Sequence, residues 1–330
     1  MSVLGMGNAL VDIMTELSND SLLEELALRK GSMQLVDKEF SEHILERIQP
    51  FNKSEISGGS AANTICGLAA MGIKTAFIGK VCRDRLGKVF EQDLIRKGIQ
   101  PLLQYSSNET GHALALVSPD SERTFATQLG AAVELEPGDL TSDMFQGYTH
   151  FYIEGYLVQH HELIRRAVEL AKEKNMEVIL DLASFNVVED NFDFLHFLVK
   201  EYADVVFANA DEARVYSNGK KPEDALAEIA GDCWIAVVKT GKEGSLIQNG
   251  KQVFRIPATQ ANCMDTTGAG DLYASGFIYG MLNGLSLPLC GEIGAILAGK
   301  VIEIMGARIP DDTWPEIKSL VKNTTYKQLG

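Results

Sequence analysis

A chain of 330 residues, 45% of them hydrophobic, is long enough for one large core or for a core with an appendage. Its 45 acidic against 30 basic residues leave a net charge of −15, which argues against nucleic acid or an anionic membrane surface as partner. A nucleotide is not excluded, because local amides, a helix terminus and a metal ion can hold one on an acidic chain. Cys66, Cys82, Cys233, Cys263 and Cys290 are scattered, odd in number and never in a CxxC pair. Neither a disulfide framework nor a zinc site is indicated, and a reducing compartment fits. The opening MSVLGMGNALVD lacks a basic region and a long apolar run, and no stretch approaches the ~20 apolar residues of a membrane span. A cytoplasmic protein is expected.

The first predicted strand, Val3 to Met6, runs into GMGNALVD (residues 5–12). This begins like a dinucleotide fingerprint, but Leu10 stands where the third glycine belongs, so that reading fails. Asn8 and Asp12 remain, close to the end of a strand where open parallel sheets place their ligands. They suit either the neighbouring hydroxyls of a sugar or simple turn chemistry. Residues 13–57 mix the short runs MQLV and SEIS with helices. In SGGSAANT (residues 57–64) Gly58 and Gly59 would let the backbone approach a ligand ahead of a helix over 60–71, with Asn63 on its first turn. A hinge followed by a polar helix start is the simpler reading of that pattern alone.

Thr75 to Lys80 reads as a strand and Leu86 to Lys97 as a helix. PLLQY, HALALV and RTFATQL, within residues 101–130, then follow as strands without helices between them, which predicts antiparallel pairing outside the main sheet. From Thr149 the alternation resumes. Strands are predicted at 149–153, 177–180, 204–207 and 234–239, and helices at 161–174 and 222–230, the pattern of a mostly parallel sheet covered by helices. Asn209 and Glu212 open a helix directly after DVVFA, where Asn209 can cap it. Thr240-Gly241-Lys242-Glu243-Gly244 follows WIAVVK and reads by itself as a hairpin into SLIQNGKQVF.

The most informative run is Asp265-Thr266-Thr267-Gly268-Ala269-Gly270-Asp271. Apolar residues at 272, 273, 277, 278, 281 and 282 make the following segment a helix. Gly268, Ala269 and Gly270 would then present amides at its positive end, a place that binds phosphate. A carboxylate at 271 is economically explained as a general base, although a turn with an acidic first-turn residue accounts for the tetrapeptide alone. Near the end, Gly294 to Val301 nearly spells a P-loop. Val301 replaces the metal-binding hydroxyl, and the run lies inside a helical pattern, so its glycines are assigned to close packing. His160 and His161 have no partner at metal-ligand spacing, and no GxSxG elbow is present.

The DTTGAGD run with its helix of small residues, together with the ordered motifs before it, resembles the ribokinase-like (PfkB) family of sugar and nucleoside kinases. The likeness spans nearly the whole chain. It implies an α/β three-layer sandwich with a central mostly parallel sheet, over residues 1–12, 58–100 and 131–330, and a small β-sheet lid from 13–57 and 101–130. It implies ATP with Mg²⁺, and a small-molecule sugar or nucleoside as acceptor. Asp271 would be the base and Gly268, Ala269 and Gly270 the anion hole. Asn8, Asp12, Gly58, Gly59 and Asn63 would bind the acceptor. Asn209, Thr240, Gly241 and Gly244 would place the nucleotide, and Glu212 would hold Mg²⁺ through water. Asp265 and Thr267 match a stretch beside a monovalent cation, so K⁺ activation is allowed. Arg123 is either a lid arginine closing on the phosphoryl group or a surface residue. Ribokinases commonly carry Lys after the glycine pair. Ser60 here, with GNALVD, looks more like the adenosine kinase branch, the alternative being a free pentose or hexose as acceptor. A dehydrogenase would need the missing glycine and a non-catalytic relative would lack the base. Monomer and homodimer both remain open.

Overall fold

The computed structural model describes residues 1–120 and 122–329. Its strands are β1 (Ser2–Met6), β2 (Leu10–Glu16), β3 (Met33–Leu35), β4 (Lys53–Gly58), β5 (Lys74–Cys82), β6 (Gln100–Ser106), β7 (Thr110–Val117), β8 (Arg123–Gly130), β9 (His150–Glu154), β10 (Glu177–Asp181), β11 (Val205–Asn209), β12 (Ile235–Lys239), β13 (Ser245–Asn249) and β14 (Gln252–Ile256). A nine-stranded sheet has the order β14-β13-β12-β11-β10-β9-β1-β5-β6. It is parallel from β12 to β6, and β13 and β14 add an antiparallel hairpin at one edge.

The strands of this sheet read as continuous apolar runs because both of their faces are covered. With a side-chain period of two, Val3, Phe77, Tyr152, Val205 and Phe207 point to one face, where helices Ser60–Ala70, Ala269–Leu282 and Leu287–Val301 pack. Leu4, Ile78, Phe151, Leu180 and Val206 point to the other, against helices His161–Glu173, Phe192–Tyr202 and Pro222–Asp232. Three layers result. Phe77, Phe151, Phe207 and Phe277 are completely buried, each contributing about 2–3 kcal/mol of apolar transfer.

A second, smaller sheet has the order β3-β8-β7-β2-β4. β7 and β8 pair antiparallel, as the absence of a helix between them predicts. PLLQY departs from that expectation. It lies in β6, which pairs parallel with β5 in the large sheet, because helix Arg85–Arg96 before it is a crossover that returns the chain in the same direction. The boundary set at 101 therefore falls inside the large sheet, and the second contribution to the small sheet starts with β7 at Thr110. β2 (LVDIMTE), a strand beyond those expected from the sequence, carries Asp12 into the small sheet, and β4 carries Gly58 there.

Glycine decides how closely the two C-terminal helices approach. A Cβ on Gly276 would lie 2.6 Å from the Ile293 carbonyl oxygen, and one on Gly294 would lie 2.8 Å from that of Tyr273. The near-P-loop at 294–301 is thus a packing surface within helix Leu287–Val301. Gly294→Ala is expected to cost about 1–3 kcal/mol by overpacking, outweighing the ~1 kcal/mol by which Ala is the better helix former. Gly138→Ala, whose Cβ would meet nothing within 4 Å, is expected to stay within about 0.5 kcal/mol. Thermal melts of the two variants check this, and equal melting temperatures would contradict the close approach.

Candidate active site

Polar residues gather where the parallel strands end. Glu154 closes β9, Asp181 closes β10 directly beside it, Asn209 closes β11 and Lys239 pairs with it at the end of β12. The connections from β1 and from β9 leave in opposite directions along the sheet, so the crevice between these strands is a topological switch point. Asn8 follows β1 there, its amide donating to Glu154 Oε1 at 2.7 Å. The Ala61 amide, in the first turn of helix Ser60–Ala70, donates to Glu154 Oε2 at 2.7 Å. Burial pushes Glu154 up to about 7 in spite of these two amides.

Asp271 lies in the first turn of helix Ala269–Leu282, half-buried above this edge. Ser60 Oγ donates to its Oδ1 at 2.7 Å and Asn63 Nδ2 to its Oδ2 at 2.9 Å. Burial raises its carboxyl from 3.8 to about 6, while the Ser60 and Asn63 bonds hold it down. Gly268 precedes the helix at φ 78°, a left-handed conformation that glycine adopts without strain. The Gly270 and Asp271 amides precede the first helical bond, Leu272 N to Gly268 O at 2.8 Å, whereas the Ala269 amide turns back to Thr266 O at 3.2 Å. The carboxamide oxygens of Asn8 and Asn63 are buried without a hydrogen-bond partner among the described residues. Buried acceptors left so are rare, and they suit a ligand that brings hydroxyl donors.

Asp12 reaches the site from the small sheet. Burial lifts it to about 6 against the opposing charges of Arg308 and Arg123. Its carboxylate covers Gly58, where a Cβ would lie 2.3 Å from Asp12 Oδ1. Gly59, at φ 93°, turns the chain into the helix, and a Cβ there would strike the Asn8 carbonyl oxygen at 2.3 Å. Arg308 fastens this turn, donating to Ser57 O at 2.8 and 3.0 Å and to Ala62 O at 3.1 Å. Arg123 is buried, so it is no surface residue, and it pairs with Asp265 Oδ2 at 2.8 Å. Asp265 also accepts from the Gly306 amide at 2.7 Å and, through Oδ1, from Thr267 Oγ1 at 2.7 Å. The two residues expected beside a monovalent cation are thus engaged with each other and with a guanidinium.

Asn209 caps helix Ala210–Tyr216, accepting from the Asp211 and Glu212 amides at 2.9 Å. Glu212 returns the bond, taking the Asn209 amide at 2.7 Å and its Nδ2. Burial raises Glu212 above the usual carboxylate range. Thr240 Oγ1 closes the 240–244 turn onto Gly244 O at 2.9 Å, leaving Gly241 exposed at the end of β12. Lys239 donates to Asp181 Oδ2 at 2.9 Å. Burial alone would depress this lysine, but the Asp181 and Glu212 carboxylates, with Asp271 adding less, raise it. Three carboxylates around one ammonium leave an excess of negative charge. Among the described residues no group of His, Cys, Asp and Glu could hold a metal unaided. Oxygen donors in excess without a closed cage fit Mg²⁺, which keeps waters and shares its shell with phosphates.

Glu154, Asp181, Lys239 and Arg308 belong to none of the sequence motifs. The first three are the polar residues that end the apolar runs YIE, VILD and VVK, a signal that becomes specific once those runs are known to lie side by side. Arg308 belongs to no pattern.

Two amides free of backbone bonds at a helix start, a carboxylate held by neutral donors and a crevice at the switch point of a parallel sheet fit a phosphotransferase of the ribokinase-like class. The chain belongs to the pfkB family of carbohydrate kinases, which it matches over residues 34–314, and it is a kinase of that family. It is similar to a probable sugar kinase from Rhizobium etli CFN 42, with 35% identity over 98% of both chains and a TM-score of 0.88. It is similar too to the adenosine kinase of Sinorhizobium meliloti, with 34% identity over 98% of both chains and a TM-score of 0.86. The 5-dehydro-2-deoxygluconokinase of Bacillus subtilis (strain 168) is 28% identical over 284 residues, 82% of this chain and 87% of that protein.

The charge on Asp271 has a consequence for stability. Its folded value, about 6, lies above the ordinary 3.8, so the folded state holds more protons in that window and the contribution of Asp271 falls as pH rises through it. Ligand-free Asp271→Asn is therefore expected to melt above the parent at about pH 8, with the gap closing toward about pH 5. Melts across this range check it. A gap that widens toward acid would contradict the burial of an unfavoured charge.

Proposed function

We propose that this kinase transfers the γ-phosphoryl group of ATP to the primary hydroxyl of a nucleoside of adenosine type. The observation that carries the reading is the carboxylate of Asp271, held by the neutral donors Ser60 and Asn63 beside two buried, unpartnered carboxamide oxygens. Ionised above about pH 6, Asp271 accepts the proton of the acceptor hydroxyl as that oxygen attacks. Asn8, Asp12, Asn63 and the Gly58-Gly59 turn bind the acceptor's other hydroxyls. The amides of Gly270 and Asp271, which carry no backbone hydrogen bond among the described residues, receive the phosphoryl oxygens, the Ala269 amide being engaged with Thr266 and Gly268 making the turn beside them. Thr240, Gly241, Gly244 and Asn209 border the nucleotide, and Glu212 orders water of the metal shell. Mg²⁺, held through water at Glu212, would supply neutralisation of the phosphate charge. Arg123 already balances Asp265, so the reading gives K⁺ no part. The small sheet acts as a lid whose closure excludes water.

The nucleoside preference is supported by Ser60 in the place where ribokinases commonly carry lysine, with the GNALVD opening, and by the likeness to the Sinorhizobium meliloti adenosine kinase over nearly the whole of both chains. A base stacked under the lid would add binding that a bare sugar cannot make. A second reading, a free sugar or sugar acid as acceptor, is supported by the 5-dehydro-2-deoxygluconokinases.

ADP release with adenosine, ribose, fructose and 5-dehydro-2-deoxygluconate separates the two. Adenosine is expected to give the highest kcat/KM. Activity confined to a sugar would overturn the acceptor while leaving the kinase intact. With the best acceptor, Asp271→Asn is expected to lower kcat by on the order of 10² or more while ATP still binds. Near-normal turnover in that variant would refute the base.

A further inference from the structure

We infer that Lys239 is a ligand of the transferring phosphoryl group, held ready for it by Asp181. The inference deepens the phosphotransfer reading above and rests on it.

Lys239 is the last residue of β12, at the edge where the site lies, not in the body of the sheet. Its side chain is 15% exposed, and its ammonium donates to Asp181 Oδ2 at 2.9 Å. Asp181 is fixed in turn, since its Oδ1 accepts from the Ala183 amide at 3.1 Å. Ala183 adopts φ 70°, a conformation costly for a residue with a side chain and of the kind that gathers at functional sites. The decisive contact is across the cleft. A Cβ placed on Gly270 would lie 3.2 Å from Lys239 Nζ, so the ammonium faces the bare backbone of the glycine at the helix start. An ammonium has three donors, and Asp181 takes one. A pair with a purely structural task would gain from side chains packed around it, but here the neighbouring position is glycine and the neighbouring amides precede the first helical bond.

The ammonium therefore lies against the Gly270 backbone, where the end of β12 meets the start of helix Ala269–Leu282. During transfer the acceptor oxygen forms its bond to Pγ while the bond from Pγ to the β,γ-bridging oxygen breaks, and ADP leaves with that electron pair. The hydroxyl proton goes to Asp271. Lys239 forms no covalent bond. It donates hydrogen bonds to non-bridging oxygens of the phosphoryl group throughout. Asp181 is a positioning residue, keeping the lysine from folding back on Glu212 or Asp271.

The test compares binding of Mg²⁺·ADP and of Mg²⁺ with the β,γ-imido analogue of ATP by calorimetry, together with steady-state kinetics, in the parent and in Lys239→Met. The variant is expected to lose about tenfold or more in affinity for the imido analogue and less than about threefold for ADP. Its kcat is expected to fall by on the order of 10² with little change in the acceptor KM. An unchanged preference between the two nucleotides, or an unchanged kcat, would overturn the inference. Should Lys239→Met fail to fold, the double variant Lys239→Gln, Asp181→Asn removes both charges together and is read by the same criteria. A parent enzyme that binds the imido analogue and turns over, beside a variant that matches it, sinks this inference alone. A parent that binds neither nucleotide and phosphorylates no acceptor sinks the kinase reading beneath it.

Discussion

Buried negative charge must be balanced, and the C-terminal edge of the large sheet carries more of it than its cations can match. Asp12, Glu154, Glu212 and Asp271 are all raised above their ordinary range, burial being the largest cause in each case. The chain answers mainly with neutral donors. Backbone amides hold Glu154 and Glu212, side-chain donors hold Asp271, and Lys239, Arg308 and Arg123 bring positive charge to the cluster. Neutral donors orient a carboxylate without neutralising it. The edge is thereby left ready for a cation arriving with a polyphosphate, at a cost in ligand-free stability.

The same residues join the two sheets. Asp12 and Arg123 project from the small sheet, while Arg308 and Asp265 come from segments flanking the C-terminal helices of the core. The turn at Gly58 and Gly59 runs between β4 of the small sheet and the helix that presents Ser60 and Asn63 to Asp271. Any movement of the small sheet therefore acts on Ser60, Asn63 and Asp271 through this turn, and on the 265–268 loop through Arg123. The ends of β10, β11 and β12, where the proposed reading puts the nucleotide, belong to the large sheet.

Much of this was legible in the chain. The helix after Asp271 showed its apolar period, and the βα alternation from Thr149 to Lys239 gave the parallel sheet, because both signals are local. What was hidden depends on contacts distant in sequence. The residues of β6 group with the antiparallel strands in the sequence because they do not say which neighbour they meet; the crossover helix before them does. Arg123 looked like a choice between lid and surface because its partner, Asp265, lies 142 positions away. Glu154, Asp181 and Lys239 are single polar residues with no motif of their own, and they acquire meaning only when three strand ends are laid side by side. Arg308 is the extreme case, since its acceptors are carbonyl groups some 250 positions earlier, which carry no sequence signal at all.

The measurement that tests the account most directly is a crystal structure of the enzyme with its best acceptor, Mg²⁺ and the β,γ-imido analogue of ATP. The acceptor's primary hydroxyl is expected within about 3 Å of an Asp271 carboxylate oxygen, a distance at which a general base can take its proton. The γ-phosphate is expected against the amides at the start of helix Ala269–Leu282. A nucleotide bound away from that helix start, or an acceptor hydroxyl facing another side chain with Asp271 left out, would contradict the proposed reading.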